Sequence, residues 1–320
     1  MNANFKKMNL RPATQHGFTL VELMIAMLIG LIVVAAAGGV FLSNSQVYRT
    51  TESVGRIQEN ARSSFEIMSR DVREAGAIAC NDADYLEGEP ALLLSSLKRG
   101  ISATGAVLDI YAGNQYMTAV SSHIKAGAGI TLAAENREYS VNDTLLICNA
   151  DISVLFNLRA MSGTDLTPSQ PLKNMYGANL CFWRSATGAI WNSDCGMKGE
   201  SLAYVAKPVR YRWEVRDNGR GGMSLYRQTA KFAAGGFVNM GAAAEVAENV
   251  TQMTLAFRRT DDTAFQTAYA TWGDNDWKEV IAMQVKLVLQ GSDDAKGTDG
   301  NVLSREVTTT ITLRNRKGVL

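Results

Sequence analysis

A long apolar run, Leu23–Leu42, lies near the N-terminus, and no charged residue occurs between Glu22 and Arg49. About 20 apolar residues in a helix are enough to cross the hydrocarbon core of a bilayer. Three basic residues and no acidic residue precede Gly17: Lys6, Lys7 and Arg11. Because basic flanks stay in the cytoplasm, the sequence predicts a membrane helix whose C-terminal side faces outward.

The apolar pattern continues beyond this run with steps of three and four residues. The apolar positions are Val54, Ile57, Ala61, Phe65, Met68, Val72 and Ala75, and most positions between them are charged. This spacing predicts an amphipathic helix with one face toward a core. The sequence therefore predicts one helix from Phe18 to near Gly76, with 18–42 in the membrane and 43–76 outside it. The polar face would contact either solvent or neighbouring subunits.

The remaining residues, 77–320, show the two-residue alternation of strands. The clearest runs are Val209–Val215, Ser224–Gln228, Met253–Phe257, Ile281–Leu289 and Val307–Leu313. Shorter apolar runs are Val107–Tyr111, Thr144–Cys148, Val154–Leu158 and Leu180–Trp183. Asp217–Gly222 has the composition of a hairpin turn, and Ser162–Lys173 is predicted to be a loop. The predicted fold class is α+β, with the long helix packed on antiparallel sheets.

Two features separate the apolar run from a simple anchor. Glu22 lies one turn inside the apolar segment that begins at Gly17, where a lone carboxylate costs roughly 2–3 kcal/mol or more. No signal-peptidase site of small residues follows the run, whereas a cut before it, between Gly17 and Phe18, is natural. That cut would give Phe18 a free amine four residues from Glu22. The two groups could lie close within one helix or pair between staggered helices.

The segment Gly17-Phe18-Thr19-Leu20-Val21-Glu22, with its basic leader and apolar helix, resembles the class III signal of type IV pilins and type II secretion pseudopilins. The resemblance implies a leader of residues 1–17, cleavage after Gly17 by a prepilin peptidase, and N-methylation of Phe18. It also implies a pilin-like fold for the chain. The alternative is an ordinary signal anchor with a stray glutamate.

Four further segments resemble minor pilins of the PilW family, and more faintly the J-type minor pseudopilin. They are Arg56–Arg62, Ser69–Gly76, Ser224–Gln228 and Thr312–Arg316. The resemblance implies a complex that primes pilus assembly and lies near the filament tip. Implied partners are other minor pilins, the major pilin, the prepilin peptidase, the inner-membrane assembly platform and membrane lipid, with a tip adhesin as a further candidate. The outer domain, 77–320, would be periplasmic. Residues 80–200 match nothing in this family.

Composition and motifs narrow the function classes. The 320 residues carry a net charge of +1 and no basic cluster, which argues against a nucleic-acid partner, including a DNA-binding pilin. The two histidines are His16, in the leader, and His123, predicted to be a surface residue. No catalytic motif accompanies His123, so we expect no enzyme activity and no cofactor; a membrane-anchored periplasmic enzyme is the disfavoured alternative.

Three acidic clusters are predicted to be solvated turns, with a calcium site as the alternative. They are Asp261–Asp262, Asp274–Asp276 and Asp293–Asp299. An aromatic group is predicted to lie at the edge of the core rather than form an exposed patch. It consists of Tyr269, Trp272 and Trp277.

The four cysteines all follow the membrane run. With the predicted topology, they therefore lie in an oxidising compartment. An even count favours two disulfides, for which three connectivities exist. We favour Cys181–Cys195, which closes a short polar loop, and this leaves Cys80–Cys148. Free buried thiols are the alternative, and the absence of a C-x-x-C motif argues against zinc.

Overall fold

The computed structural model describes residues 17–80, 82–123, 129–174, 202–291 and 300–315, together with Tyr176, Leu180, Phe182 and Lys296. The chain divides into two units, Met1–Glu52 and Ser53–Leu320. The first helix, α1, extends from Leu20 to Arg73 and so contributes to both. The predicted α+β class is confirmed: one long N-terminal helix precedes a domain of antiparallel sheets.

The second unit contains two further short helices and fourteen strands in its described part. The helices are α2 (Ala91–Arg99) and α3 (Asp274–Lys278), with a 3-10 turn at Ala83–Tyr85. The strands are β1 (Leu86–Gly88), β2 (Ile101–Thr104), β3 (Val107–Ser122), β4 (Ile130–Leu132), β5 (Thr144–Cys148), β6 (Ser153–Ser162), β7 (Asp165–Pro168), β8 (Tyr204–Asp217), β9 (Met223–Ala233), β10 (Gly236–Asn239), β11 (Ala244–Glu248), β12 (Val250–Arg259), β13 (Val280–Gln290) and β14 (Ser304–Thr312).

The strands form a large sheet of eleven and a small sheet of three. The large sheet has the order β10-β9-β8-β5-β6-β7-β4-β3-β2, with β11 paired to β9 and β1 paired in parallel to β6. Because β3 also pairs with β8, the strands β8, β5, β6, β7, β4 and β3 close an antiparallel cycle. The small sheet has the order β12-β13-β14.

The outer half of α1 packs on the main core, the largest cluster of buried apolar side chains, formed with β2, β3, β8, β9 and β11–β14. The predicted helix positions Ile57, Ala61, Met68 and Val72 are all buried, whereas Phe65 is partly buried at the margin. Burying a large aliphatic side chain stabilises a fold by about 1.5–3 kcal/mol. This face of α1 is therefore fixed to the sheets. A second buried cluster comes from the cycle of six strands, including Leu145, Phe156 and Val205.

Three sequence predictions need correction. The helix begins at Leu20 rather than Phe18 and ends at Arg73, followed by a turn in which Gly76 has φ 70°. A positive φ of this kind favours glycine and is common just beyond the end of a helix, which is where Gly76 lies. The predicted loop Ser162–Lys173 contains β7, which pairs with β4 and β6. Within Leu180–Trp183, Leu180 and Phe182 are buried outside any strand, and the other two residues lie outside the described ones.

Candidate processing and assembly site

A capping box at Thr19 begins α1. The Thr19 amide and hydroxyl both donate to Glu22 Oε2, at 3.1 and 3.0 Å, and the Glu22 amide donates to Thr19 Oγ1 at 3.3 Å. This reciprocal arrangement satisfies amides that the first turn of a helix leaves free. Gly17–Thr19 is consequently non-helical and exposed. The Gly17–Phe18 peptide bond lies in open backbone just before the cap.

The structure brings the three predicted residues Gly17, Phe18 and Glu22 together at this helix start, and the roles assigned to them stay predictions. Phe18 is 90% exposed. The Glu22 carboxylate accepts two hydrogen bonds from Thr19 of its own chain, a contact that the prediction of Glu22 as a charge partner did not include. The sequence signal was present, since Thr-x-x-Glu before an apolar run is the signature of a capping box.

Beyond the cap, α1 presents large apolar side chains on all sides. Every residue from Leu20 to Leu42 is exposed, including Leu31 at 72% and Phe41 at 73%. The helix is long and apolar enough to cross a membrane. Because water does not favour a continuous apolar surface of this kind, lipid or other helices are expected to cover it. The N-terminal helix thus indicates membrane anchoring.

At its other end, α1 is joined to the sheets by a buried carboxylate that sequence analysis did not single out. Asp71 is 1% exposed and accepts from Arg227 Nε at 2.6 Å and Nη2 at 2.9 Å. Trp213 Nε1 donates to the same carboxylate at 3.0 Å, and the Arg227 guanidinium lies 4.1 Å from the Tyr211 ring centre. Bidentate, charge-assisted bonds of this kind are strong and directional. We call Asp71, Arg227 and Trp213 the helix clamp.

A second buried ion cluster lies between β5, β8 and β9. Asp143 is fully buried and contacts Lys207 Nζ at 2.9 Å and Lys231 Nζ at 2.7 Å. Lys207 also donates to the Glu138 carbonyl, and the Ser140 amide donates to Asp143 at 2.9 Å. A buried charge is tolerated when it is paired and hydrogen-bonded. This cluster therefore links neighbouring strands. The Asp143 carboxylate and the two lysines pair with one another.

Three aspartates of the acidic clusters pair with arginines. Asp274 contacts Arg99 at 2.9 Å, and Arg259 contacts Asp262 and Asp276 at 3.1 and 2.6 Å. The Asp274 and Asp276 side chains remain 46% and 37% exposed, as expected of solvated acids, although the predicted turn at this place is the short helix α3. Among the described residues, no group of three or more acidic, histidine or cysteine side chains is placed to hold a metal. Most of Asp293–Asp299 lies outside the described residues.

The aromatic group lies at the core, as predicted. Trp277 and Tyr269 are buried, and Trp272 packs against the main core. Their rings surround Phe257, with centroid distances of 5.0, 5.0 and 6.3 Å. Edge-to-face contacts of this kind add about 0.5–1.5 kcal/mol per pair to the burial itself. The segment between β12 and β13 is thereby attached to the small sheet.

The prediction that His123 lies at the surface is wrong. The ring is fully buried, its Nδ1 accepts from the Phe182 amide at 3.2 Å, and its Nε2 has no hydrogen-bond partner among the described residues. Burial lowers the pKa of His123 to about 4. The residue follows β3 in a polar stretch of sequence, and only the tertiary fold shows that it is enclosed.

Acid should destabilise the fold through His123. The pKa is about 4 when folded and near 6.5 when unfolded, so between these values the unfolded chain binds the proton that the folded chain excludes. The His123 contribution to stability is therefore complete above pH 6.5 and falls as pH falls toward 4, by at most on the order of 3 kcal/mol. His123→Asn keeps an acceptor but does not titrate. In thermal unfolding of the full chain in detergent, this variant should lose less stability between pH 7 and 4.5 than the native chain. Equal losses would contradict the assignment.

The prediction of a disulfide is confirmed by a bond between Cys80 and Cys148, whose Cα atoms are 5.7 Å apart. The bond joins the segment that follows α1 to β5 and closes a loop with a sequence separation of 68 residues. Closing a loop of this size typically stabilises a fold by about 2–4 kcal/mol. Cys181 and Cys195 lie outside the described residues, so their pairing stays a prediction.

Comparison with known proteins bears on the helix start. Residues 12–38 match the prokaryotic N-terminal methylation motif. Over 63 residues the chain is 35% identical to the pilin-like protein PilA3 of Thermus thermophilus; this stretch is 20% of the present chain and 27% of that protein. No solved structure matches the chain. The chain is thus a type IV pilin-like protein with an N-terminal methylation motif.

Proposed function

We propose that this chain is a minor pilin of a type IV pilus, of the PilW kind. It is inserted in the inner membrane, cleaved after Gly17 and N-methylated on Phe18, with its outer domain in the periplasm. With other minor pilins it forms a complex that primes assembly and then lies near the filament tip. The observation that carries this proposal is the methylation motif at 12–38, which opens directly into an exposed apolar helix.

In this role the protein acts through contacts rather than catalysis. The apolar half of α1 packs among the helices of neighbouring subunits, and Glu22 pairs with a neighbour's N-terminal amine. The outer domain makes side contacts with the major pilin and other minor pilins, while the prepilin peptidase and the assembly platform act on the chain before assembly. The buried carboxylates Asp71 and Asp143 support a structural role, because cations of the fold already hold both.

Glu22→Gln tests the charge pairing. Glutamine can also serve in a capping box, so the variant should keep the bond to Thr19 and the start of α1 while removing the charge. We expect normal cleavage but incorporation into filaments reduced at least about tenfold, since a charge partner in lipid is lost. The measurement is the amount of this subunit in sheared filaments relative to the membrane.

Thr19→Val is the matched control, because it removes the cap and leaves the carboxylate. If incorporation of Glu22→Gln equals that of the native chain, the proposed pairing is refuted. Unimpaired incorporation of Thr19→Val together with loss in Glu22→Gln would assign the effect to charge alone.

The second candidate is a J-type minor pseudopilin of a type II secretion system, because the methylation motif and the fold suit both. Deletion of the gene separates the two. Loss of surface filaments with normal protein export supports the pilus, and retained filaments with lost export support the secretion system. The intact mass of the membrane-extracted protein comes first: a chain beginning with N-methylated Phe18 is expected in either case. A chain that retains Met1 in cells with an active prepilin peptidase would refute both.

A further inference from the structure

The strand β14 forms one edge of the small sheet. It pairs with β13 over all nine residues, Ser304 to Thr312, without a register shift. Its other side has no strand partner among the described residues. An open edge of this kind presents a row of backbone donors and acceptors to another polypeptide.

The flanking hydrogen bonds show which backbone groups face outward. Just before β14, the Leu303 carbonyl accepts from the Gly291 amide at 2.7 Å, and just after it, the Leu313 amide donates to the Ile281 carbonyl at 2.9 Å. Hydrogen-bonded pairs occur at every second residue of an antiparallel ladder. Odd-numbered residues of β14 therefore bond to β13, and the outward amides and carbonyls belong to Ser304, Glu306, Thr308, Thr310 and Thr312.

This edge lacks the protection that the other edges have. Strands β2 and β10 have four residues each, and β11 has five with a register shift. Strand β12 has shifts near both ends and a bridge between Phe257 and Gln266 on its free side. Folded proteins shield edges by shortness, bulges, lysine or proline. Strand β14 is long and regular and contains neither lysine nor proline, and its two charged residues, Arg305 and Glu306, lie at its N-terminal end, which leaves Val307–Thr312 without a charge.

The inner face of β14 adds an apolar margin. Ile311 is buried, while Val307 and the preceding Leu303 are only partly buried where they pack against the main core. The five outward-facing residues, in contrast, have exposed side chains. A further strand with alternating apolar and polar side chains would cover Val307 and place its polar side chains beside the threonines.

The direction of β14 argues against antiparallel pairing with the β14 of an identical copy. Ser53 and Ile57 line a cavity with Leu289, which pairs with Arg305, and Asn315 Nδ2 donates to the Arg73 carbonyl at 3.3 Å. Residues 53–73 of α1 and strand β14 thus run the same way. Antiparallel pairing of β14 with the β14 of a second copy would point the α1 helices of the two copies in opposite directions. Copies anchored in one membrane point them the same way.

We propose that the outer edge of β14 binds an extended strand of a different pilin subunit, which continues the small sheet across the interface. This inference rests on the proposed function, since it supplies the side contact that co-assembly requires. The incoming strand has apolar residues at alternate positions and bonds to the backbone of Glu306, Thr308 and Thr310.

Proline at an outward-facing position tests the proposal. Thr308→Pro removes an outward amide that β13 does not use, so the fold should be kept, whereas Thr308→Val keeps the amide and a β-branched side chain. The full chain is co-expressed with the major pilin and the other minor pilins of the same organism, and the complex is purified in detergent. We expect the native chain and Thr308→Val to give equal yields of complex and Thr308→Pro at least about tenfold less.

Hydrogen exchange on the native chain gives a readout that does not depend on the variants. In the isolated protein the amides of Glu306, Thr308 and Thr310 should exchange fast, and those of Val307, Thr309 and Ile311 slowly. In the complex both sets should exchange slowly.

The outcomes separate the inference from the proposed function. A complex that forms equally with Thr308→Pro, or that leaves the outward amides unprotected, overturns strand addition and leaves the pilin role standing. A native chain that enters no complex and no filament overturns both. Slow exchange of the outward amides in the isolated monomer would show the edge already covered, and a proline-sensitive dimer of this chain alone would replace the different subunit with a second copy.

Discussion

Asp71→Ala should lower the free energy of unfolding by about 3 kcal/mol. The variant leaves Arg227, whose side chain is 19% exposed, without its partner and removes the acceptor of the Trp213 N–H. A buried charge or donor that loses its partner keeps its full desolvation cost. The measurement is chemical unfolding of the full chain in detergent, followed by tryptophan fluorescence.

Two controls make this result specific to the helix clamp. Asp71→Ala combined with Arg227→Met removes the cation as well, and it should destabilise less than the two single effects added together. Asp274→Ala breaks an ion pair whose carboxylate is 46% exposed, and it should cost less than about 1 kcal/mol. If Asp71→Ala costs no more than Asp274→Ala, the helix clamp does not hold α1 to the sheets.

Gly17→Val should reduce the rate of leader removal by well over tenfold. A protease must approach the backbone at the bond that it cuts, and a β-branched side chain beside that bond obstructs the approach. A Cβ added at Gly17 would meet no atom of the described residues beyond its chain neighbours within 4 Å. The substitution should therefore leave the fold intact. A loss of cleavage would then mean that the peptidase cannot approach the bond.

Intact mass of the membrane-extracted variant is the measurement, and Gly30→Val is the matched control. Gly30 lies within the exposed part of α1 and likewise has open space at its Cβ. We expect Gly30→Val to be cleaved normally and Gly17→Val to retain its leader. Efficient cleavage of Gly17→Val would contradict the restriction at this position.

The parts of the fold that depend on local periodicity were predictable. The buried face of α1 follows steps of three and four, and Thr144–Cys148 agrees with β5 residue for residue. Hydrophobic burial imposes these periods on the sequence, so they can be read without the fold. Strand β7 was not predicted, because its four residues are held by two neighbouring strands rather than by their own β-propensity.

The missed residues of the site depend on distant partners. Asp71 is one charge among several on α1, and its role appears only when Arg227, 156 residues away, is placed beside it. His123 gives no sign of burial in its own polar neighbourhood. The closed cycle of six strands likewise rests on the pairing of β3 with β8, which no local pattern specifies. Thr19 is different, because its signature was local and was overlooked in favour of the Glu22 charge.

The Cys80–Cys148 bond has a mechanical consequence. Tension on α1 reaches the domain first through the helix clamp, whose two Arg227 bonds share the load, and then through the backbone after Arg73. At Cys80 the disulfide offers a covalent path straight to β5 that bypasses the residues between the two cysteines. These residues could otherwise lengthen the chain by about 220–240 Å, at 3.3–3.6 Å per residue. When α1 is pulled, the residues between Cys80 and Cys148 can therefore extend only after the disulfide has been reduced. Under oxidising conditions they add no length to the chain.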